Sequence, residues 1–210
     1  MRLVLKLGVA AAIVAATYLA IVRIAEHKAD ALAGGKAFAL DRRHTREMET
    51  FGALLAELRG LGEPDLAASL AGLQESGQLW LAPHLGGERS AIYVNALGLV
   101  SRIYVRRDEL VSGRVPFPDL DLPDAARRTF TTVALAGTLF HELQHYQGLE
   151  DEGATYEREI AWYRGLGEAR LGQLDGEGKR WFEWAVASAL ESARAAREKA
   201  VGQGSRASGS

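Results

Sequence analysis

Phe130-Thr-Thr-Val-Ala-Leu-Ala-Gly-Thr-Leu-Phe140-His-Glu-Leu-Gln-His145 is an apolar helical pattern that runs straight into two histidines. Upstream, Asp121, Pro123 and Asp124 supply a capping residue, a first-turn proline and a first-turn carboxylate, so one helix is expected from near Pro123 to about Gln147. On that helix His141 and His145 lie about 40° apart around the axis and one turn apart along it. Both imidazoles then reach one metal ion. Histidines at this spacing bind zinc, and a glutamate directly after the first, here Glu142, accepts the proton of a zinc-bound water.

A catalytic zinc needs a third protein ligand, and the acids downstream are Glu150, Asp151, Glu152, Glu157 and Glu159. In an unbroken helix Glu152 would share the histidine stripe but stand about 10 Å further along the axis, well beyond a metal bond of about 2 Å. Gly148 removes the difficulty. Glycine just past a helix end takes the left-handed conformation that reverses the chain, so the next segment folds back. Residues 150–164 then read as a second helix, with Tyr156, Ile160 and Tyr163 at helical spacing and Glu152 in its first turn. Glu157 and Glu159 are expected on its solvated face.

Over residues 138–164 the chain resembles the zincin metallopeptidases, in particular gluzincin-like families with the pattern H-E-x-x-H-x-x-G-x-x-x-E-x-x-A. The resemblance maps onto His141, Glu142, His145, Gly148 and Glu152, and it implies zinc held by His141, His145 and Glu152, with Glu142 as general base. The chain departs from the pattern at Thr155, where such families carry alanine, and at Tyr156, where some carry Asn or Asp. The snapalysin-like metzincin spacing H-E-x-x-H-x-x-G-x-x-D offers Asp151 as the alternative third ligand. Metzincins, however, need a methionine turn after that ligand, and the only methionines here are Met1 and Met48. Tyr146, Tyr156 and Tyr163 are the candidates to stabilise an oxyanion. His27, His44 and His84 have no partner at ligand spacing and read as structural or exposed, although His84 is near an expected strand.

Leu7 to Val22 is an uncharged apolar run between Arg2, Lys6 and Arg23. Residues 1–24 therefore read as an uncleaved signal anchor, a single-pass membrane helix, with no small-x-small cleavage site just after the run. The short leading end is expected to stay in the cytoplasm, which puts the catalytic part on the periplasmic or extracellular side. Absence of cysteine removes disulfides and thiolate metal sites, and a net charge of −2 with interspersed signs argues against a nucleic-acid partner.

The rest reads as one domain over residues 37–200 with a polar, disordered tail at 201–210. Residues 39–75 are helical in pattern, broken near Gly60 to Pro64 and at Gly77. Trp80 to Leu85 and Ala91 to Val105 carry strand-like residues, the latter forming a hairpin with a turn at Asn95 to Gly98. That hairpin is either the edge that pairs with an extended peptide or an ordinary small sheet. Residues 112–123 read as a loop bordering the cleft, 165–178 as a glycine-rich link, and Trp181 to about Val201 as the last helix. The expected fold is thus α+β and mostly helical, with an active helix, a glutamate helix and a small hairpin behind a membrane helix. The expected function is zinc-dependent hydrolysis of a peptide or protein substrate. Its alternative is a non-enzymatic helical membrane protein with an incidental or inactive H-E-x-x-H.

Overall fold

The computed structural model describes residues 2–85, 89–112 and 123–207, with side chains over 13–85, 89–112 and 123–202. In chain order the elements are α1 (Arg2–Leu32), β1 (Phe38–Ala39), α2 (Thr45–Gly60), α3 (Pro64–Glu75), β2 (Leu79–Ala82), β3 (Ala91–Ala96), β4 (Val100–Arg106), α4 (Arg107–Ser112), α5 (Asp124–Tyr146), α6 (Glu152–Leu171) and α7 (Gly176–Ala207). The mostly helical α+β class is as expected. The sheet is larger than a hairpin, with strand order β1-β2-β4-β3. Strands β3 and β4 pair antiparallel, β2 runs parallel to β4, and β1 pairs antiparallel with β2. Two residues of β1 carry no alternation to read, and a parallel partner cannot be inferred from local pattern.

Side-chain alternation along the strands separates two cores. Leu79, Leu81, Ala91, Ile103 and Val105 face one way, into a core with α2, α3 and one side of α5. Val94, Ala96, Val100 and Tyr104 face the other way, against Ala25 and Ala29 of α1 and Ala33 just past its end. The sheet is therefore covered on both faces, and among the described residues β3 is left as a free edge beside α5. A third core joins α5, α6 and α7 through Phe130, Val133, Tyr163, Leu166 and Phe182.

Several boundaries differ from the sequence reading. Helix α1 does not end at an anchor followed by a linker, because its second half docks on the sheet. There Arg102 contacts Glu26 at 3.2 Å and Asp30 at 3.5 Å while stacking over Trp80. Helix α6 continues through Gly165 and Gly167 to Leu171, over part of the expected link. Glycine costs a helix about 1 kcal/mol, but Leu166 is buried and Gly167 lets α6 approach Val186, so packing outweighs propensity. Helix α7 likewise begins before Trp181 and extends to Ala207, through most of the expected tail, because a packed helix propagates at little cost per residue.

Among the described residues no helix is long and apolar enough to cross a membrane. The expected membrane helix is therefore not supported by them, and the side chains of residues 1–12, which carry the first part of the apolar run, lie outside them. Residues 113–122, including most of the expected cleft-side loop and the capping residue Asp121, also lie outside.

An ion pair ties α2 to the end of the sheet. Arg107 donates to Glu47 Oε1 from Nε at 2.8 Å and from Nη2 at 2.6 Å, which holds the carboxyl below its ordinary pKa of 4.5. A depressed folded-state value contributes stability above the unfolded value and loses it as pH falls through the folded value. With Arg107 43% exposed, Glu47→Gln is expected to lower stability by about 1 kcal/mol at pH 7. Urea denaturation at pH 7 and pH 3 checks this: the difference from wild type should shrink at the lower pH, and an unchanged difference rules the ion pair out as its source.

Candidate metal centre

The turn after α5 closes with two hydrogen bonds, Gly148 N–H to His145 O at 3.0 Å and Leu149 N–H to Gln144 O at 3.0 Å. That is a Schellman ending, and Gly148 has the φ of 98° it requires. The chain reverses as expected. Asp151 then caps α6, its Oδ1 accepting from Ala154 N–H at 2.6 Å. The carboxylate of Asp151, the alternative third ligand, is thus spent on the helix end. Buried Thr155 fits in place of alanine because its hydroxyl donates to Asp151 O at 2.9 Å.

Fold-back brings three donors together. His141 Nε2 lies 3.2 Å from His145 Nε2 and 3.3 Å from Glu152 Oε2, and His145 Nε2 lies 3.5 Å from Glu152 Oε1. Ligand atoms about 2.05 Å from a tetrahedral zinc stand about 3.3 Å from one another, so the three separations fit such an ion. These are the described residues grouped closely enough to hold a metal.

The far sides of both rings set the tautomers. His141 Nδ1 is 3.0 Å from Glu159 Oε2, and His145 Nδ1 is 2.6 Å from the carbonyl of Leu149. A carboxylate and a carbonyl only accept, so each Nδ1 carries the hydrogen and each Nε2 presents a lone pair. Two lone pairs at 3.2 Å repel unless a cation or proton lies between them. Burial disfavours the charged form of His141, but the carboxylates of Glu159, Glu142 and Glu152 together outweigh it and raise the imidazole's pKa.

Glu159 corrects the sequence reading. It is buried rather than on the solvated face, because α6 turns its stripe Glu152, Tyr156, Glu159 and Tyr163 toward α5. The steps of four, three and four were visible in the sequence, whereas the partner helix was not. Tyr163, itself buried, stands beside Glu159, and its hydroxyl passes so close to Gly137 that a Cβ there would stand 1.7 Å away. Glu157 stays exposed and pairs with Arg197 of α7.

Glu142 points out of the histidine stripe toward the free edge of the sheet, where Tyr93 N–H donates to its Oε2 at 2.6 Å. Burial of its carboxyl pushes the pKa up to about 7, while the charge of His141 and the Tyr93 N–H act the other way. Sequence reasoning missed this strand contact, since nothing local marks a backbone donor 49 residues away.

His141, Glu142, His145, Glu152 and Glu159 line one cleft of about 710 Å³. Its walls include Arg89 to Tyr93 of the β3 edge, Phe130 and Ala134 of α5, and Ala189 and Ala193 of α7. Of the three tyrosines, Tyr146 is committed elsewhere, donating to Gln78 Oε1 at 2.6 Å, and Tyr163 is buried in the core of α5, α6 and α7. Tyr156 borders the cleft with its ring 4.4 Å from that of His141. His44 stacks on Phe38 at 4.1 Å, and neither His27, His44 nor His84 lines the cleft.

No protein-family model matches the chain, and the searches of curated proteins and of solved structures likewise return no match.

Proposed function

We propose that this chain is a zinc-dependent, zincin-like metallopeptidase, held at a membrane by its N-terminal helix. The observation that carries the reading is the convergence of His141 Nε2, His145 Nε2 and the Glu152 carboxylate in a cleft that also contains Glu142. When bound, zinc supplies Lewis acidity toward water and toward a scissile carbonyl. Glu142 takes the proton of the attacking water and passes it to the leaving amine. Tyr156 donates its hydroxyl hydrogen to the developing oxyanion. Glu159 and the Leu149 carbonyl hold the imidazoles in register, so little reorganisation is needed on metal binding.

A peptide fits this cleft because β3 is an edge strand. Arg106 N–H donates to Ser90 O, so residues 90, 92 and 94 turn their backbone groups toward β4 while 91, 93 and 95 face outward. An extended substrate can add there as a further strand. The membrane part rests on the apolar run of α1, where Ile13, Val14, Tyr18, Leu19 and Ile24 are all exposed.

One set of variants tests the site. The purified full chain should hold about one zinc, removable by chelator and restored by zinc addition. Asp151→Ala should cost a helix cap of about 1 kcal/mol and keep the metal, whereas Glu152→Ala should weaken zinc binding by tenfold or more. Tyr156→Phe should keep the metal and lower kcat by roughly tenfold to a hundredfold. A wild-type chain that binds no zinc would favour the non-enzymatic alternative, and zinc lost in Asp151→Ala but kept in Glu152→Ala would exchange the ligands.

A further inference from the structure

The turn of the β3–β4 hairpin is built against its own conformational preference. Leu99 N–H donates to Ala96 O at 3.1 Å, and the two residues between, Leu97 and Gly98, have φ of 58° and 68°. A turn with two left-handed residues favours Asn-Gly, and Asn95 Oδ1 already braces it by accepting from Gly98 N–H at 3.0 Å. Leucine at the first left-handed position is sterically unfavourable. Its side chain packs in no core: Leu97 is 57% and Leu99 42% exposed. A strained backbone displaying apolar side chains to water has no folding rationale, so another surface must receive them.

The docking of α1 shows where this tip points. Arg102 contacts Glu26 and Asp30, and Tyr104 donates to Asp30 Oδ1 at 3.1 Å. Further on, Gly34 abuts the carbonyl of His84, just past Ala82, the register partner of Arg106. Helix α1 therefore runs parallel to β4, and its N-terminal part heads toward the hairpin tip, which precedes β4. From Arg102 to Gly98 is about 13 Å of strand, which is roughly nine residues of helix counted back from Glu26. The tip thus stands level with about residue 17.

That level is the last part of the uncharged run Leu7 to Val22, just before Arg23. Residues 13–21 of α1 are exposed on every side of the helix, not on one stripe. A groove in a partner protein covers one face, whereas a bilayer surrounds a helix completely. Tyr18 and Arg23 are side chains of the kind that sit at a membrane boundary.

We propose that Leu97 and Leu99 insert into the lipid interface beside α1, making the hairpin a second membrane contact that sets the orientation of the domain. The proposal rests on the anchor reading above and not on the peptidase reading. Its consequence is that the β3 edge, with Tyr93 four residues from the tip, lies about 14 Å from the bilayer surface. The cleft then faces membrane-proximal segments of its substrates.

The chain contains no cysteine, so single-cysteine labels report unambiguously. Full-length protein carrying an environment-sensitive fluorophore at Leu97→Cys, Ala16→Cys or Asp108→Cys is reconstituted in vesicles of phosphatidylcholine and phosphatidylglycerol, with doxyl-labelled lipid as quencher. Asp108 is exposed and stands beyond the opposite end of β4. Labels at 16 and 97 should shift to the blue and be quenched at least twofold more than the label at 108. Quenching at 16 with a label at 97 that behaves like 108 overturns the hairpin contact and leaves the anchor intact. Absence of quenching at both removes the anchor and the proposal together. A blue shift at 97 without quenching means that protein, such as a second copy, covers the tip, and this also overturns it. Leu97→Asn supplies an independent check: its thermal midpoint in detergent should equal or exceed that of wild type, and a marked fall would show that leucine serves the fold.

Discussion

Glu142→Gln is expected to lower kcat/KM for a cleaved peptide by about 10³-fold or more while the chain retains about one zinc. Glutamine keeps the shape of glutamate and an oxygen that can accept from Tyr93 N–H, so the contact between α5 and the β3 edge survives. The amide cannot take a proton from water, and that is the only function removed. Neither imidazole depends on Glu142, since their outer nitrogens are held by Glu159 and Leu149. Metal analysis and peptide turnover on the same preparation check the result. Turnover within a few-fold of wild type in zinc-loaded Glu142→Gln would sink the general-base assignment.

Gly137→Ala is expected to destabilise the fold by about 3 kcal/mol, a large effect for one methyl group. A Cβ at position 137 would lie 1.7 Å from the Tyr163 hydroxyl oxygen and 2.2 Å from its Cζ, distances no packing tolerates. Tyr163 cannot swing aside easily, because it is buried in the α5–α6–α7 core beside Glu159. Moving it also disturbs Glu159 and, through it, His141, so zinc affinity should fall with stability. Gly137→Ala in a Tyr163→Leu background should cost much less than in wild type, because the clashing ring is gone. Chemical denaturation of the four proteins of this cycle gives the coupling, and strictly additive effects would show that the ring is not what excludes Cβ.

Much of the site was legible because its geometry is local. His141 and His145 share a stripe by helix periodicity alone, and Gly148 announces a reversal because few other residues accept its φ. Asp151 and Glu152 are adjacent in sequence, yet only the cap geometry assigns one to the helix end and leaves the other beside the histidines. Glu159 was misplaced for a related reason. An acid on a helix reads as solvated until the neighbouring helix is known, and α6 presents that residue to α5 rather than to water.

The apolar run at the start of α1 was legible as composition, while the docking of the second half of that helix on the sheet was not. Alanines at 25, 29 and 33 look like mere spacing until β3 and β4 supply a surface to pack against. The glycine-rich stretch at 165–178 misled in the opposite sense, since burial of Leu166 and the close approach at Gly167 carry α6 onward.

Sequence by itself determined the elements whose signals lie within one or two turns of chain: the histidine helix, its glycine ending, the returning helix and the hairpin. Tertiary structure alone decided the parallel pairing of β2 with β4, the placing of the β3 edge against Glu142, and the Glu159 and Tyr163 contacts behind His141. The physical reason is range. Helix and turn propensities act between near neighbours, whereas these contacts join residues far apart in sequence or on separate helices, and burial alone selects them.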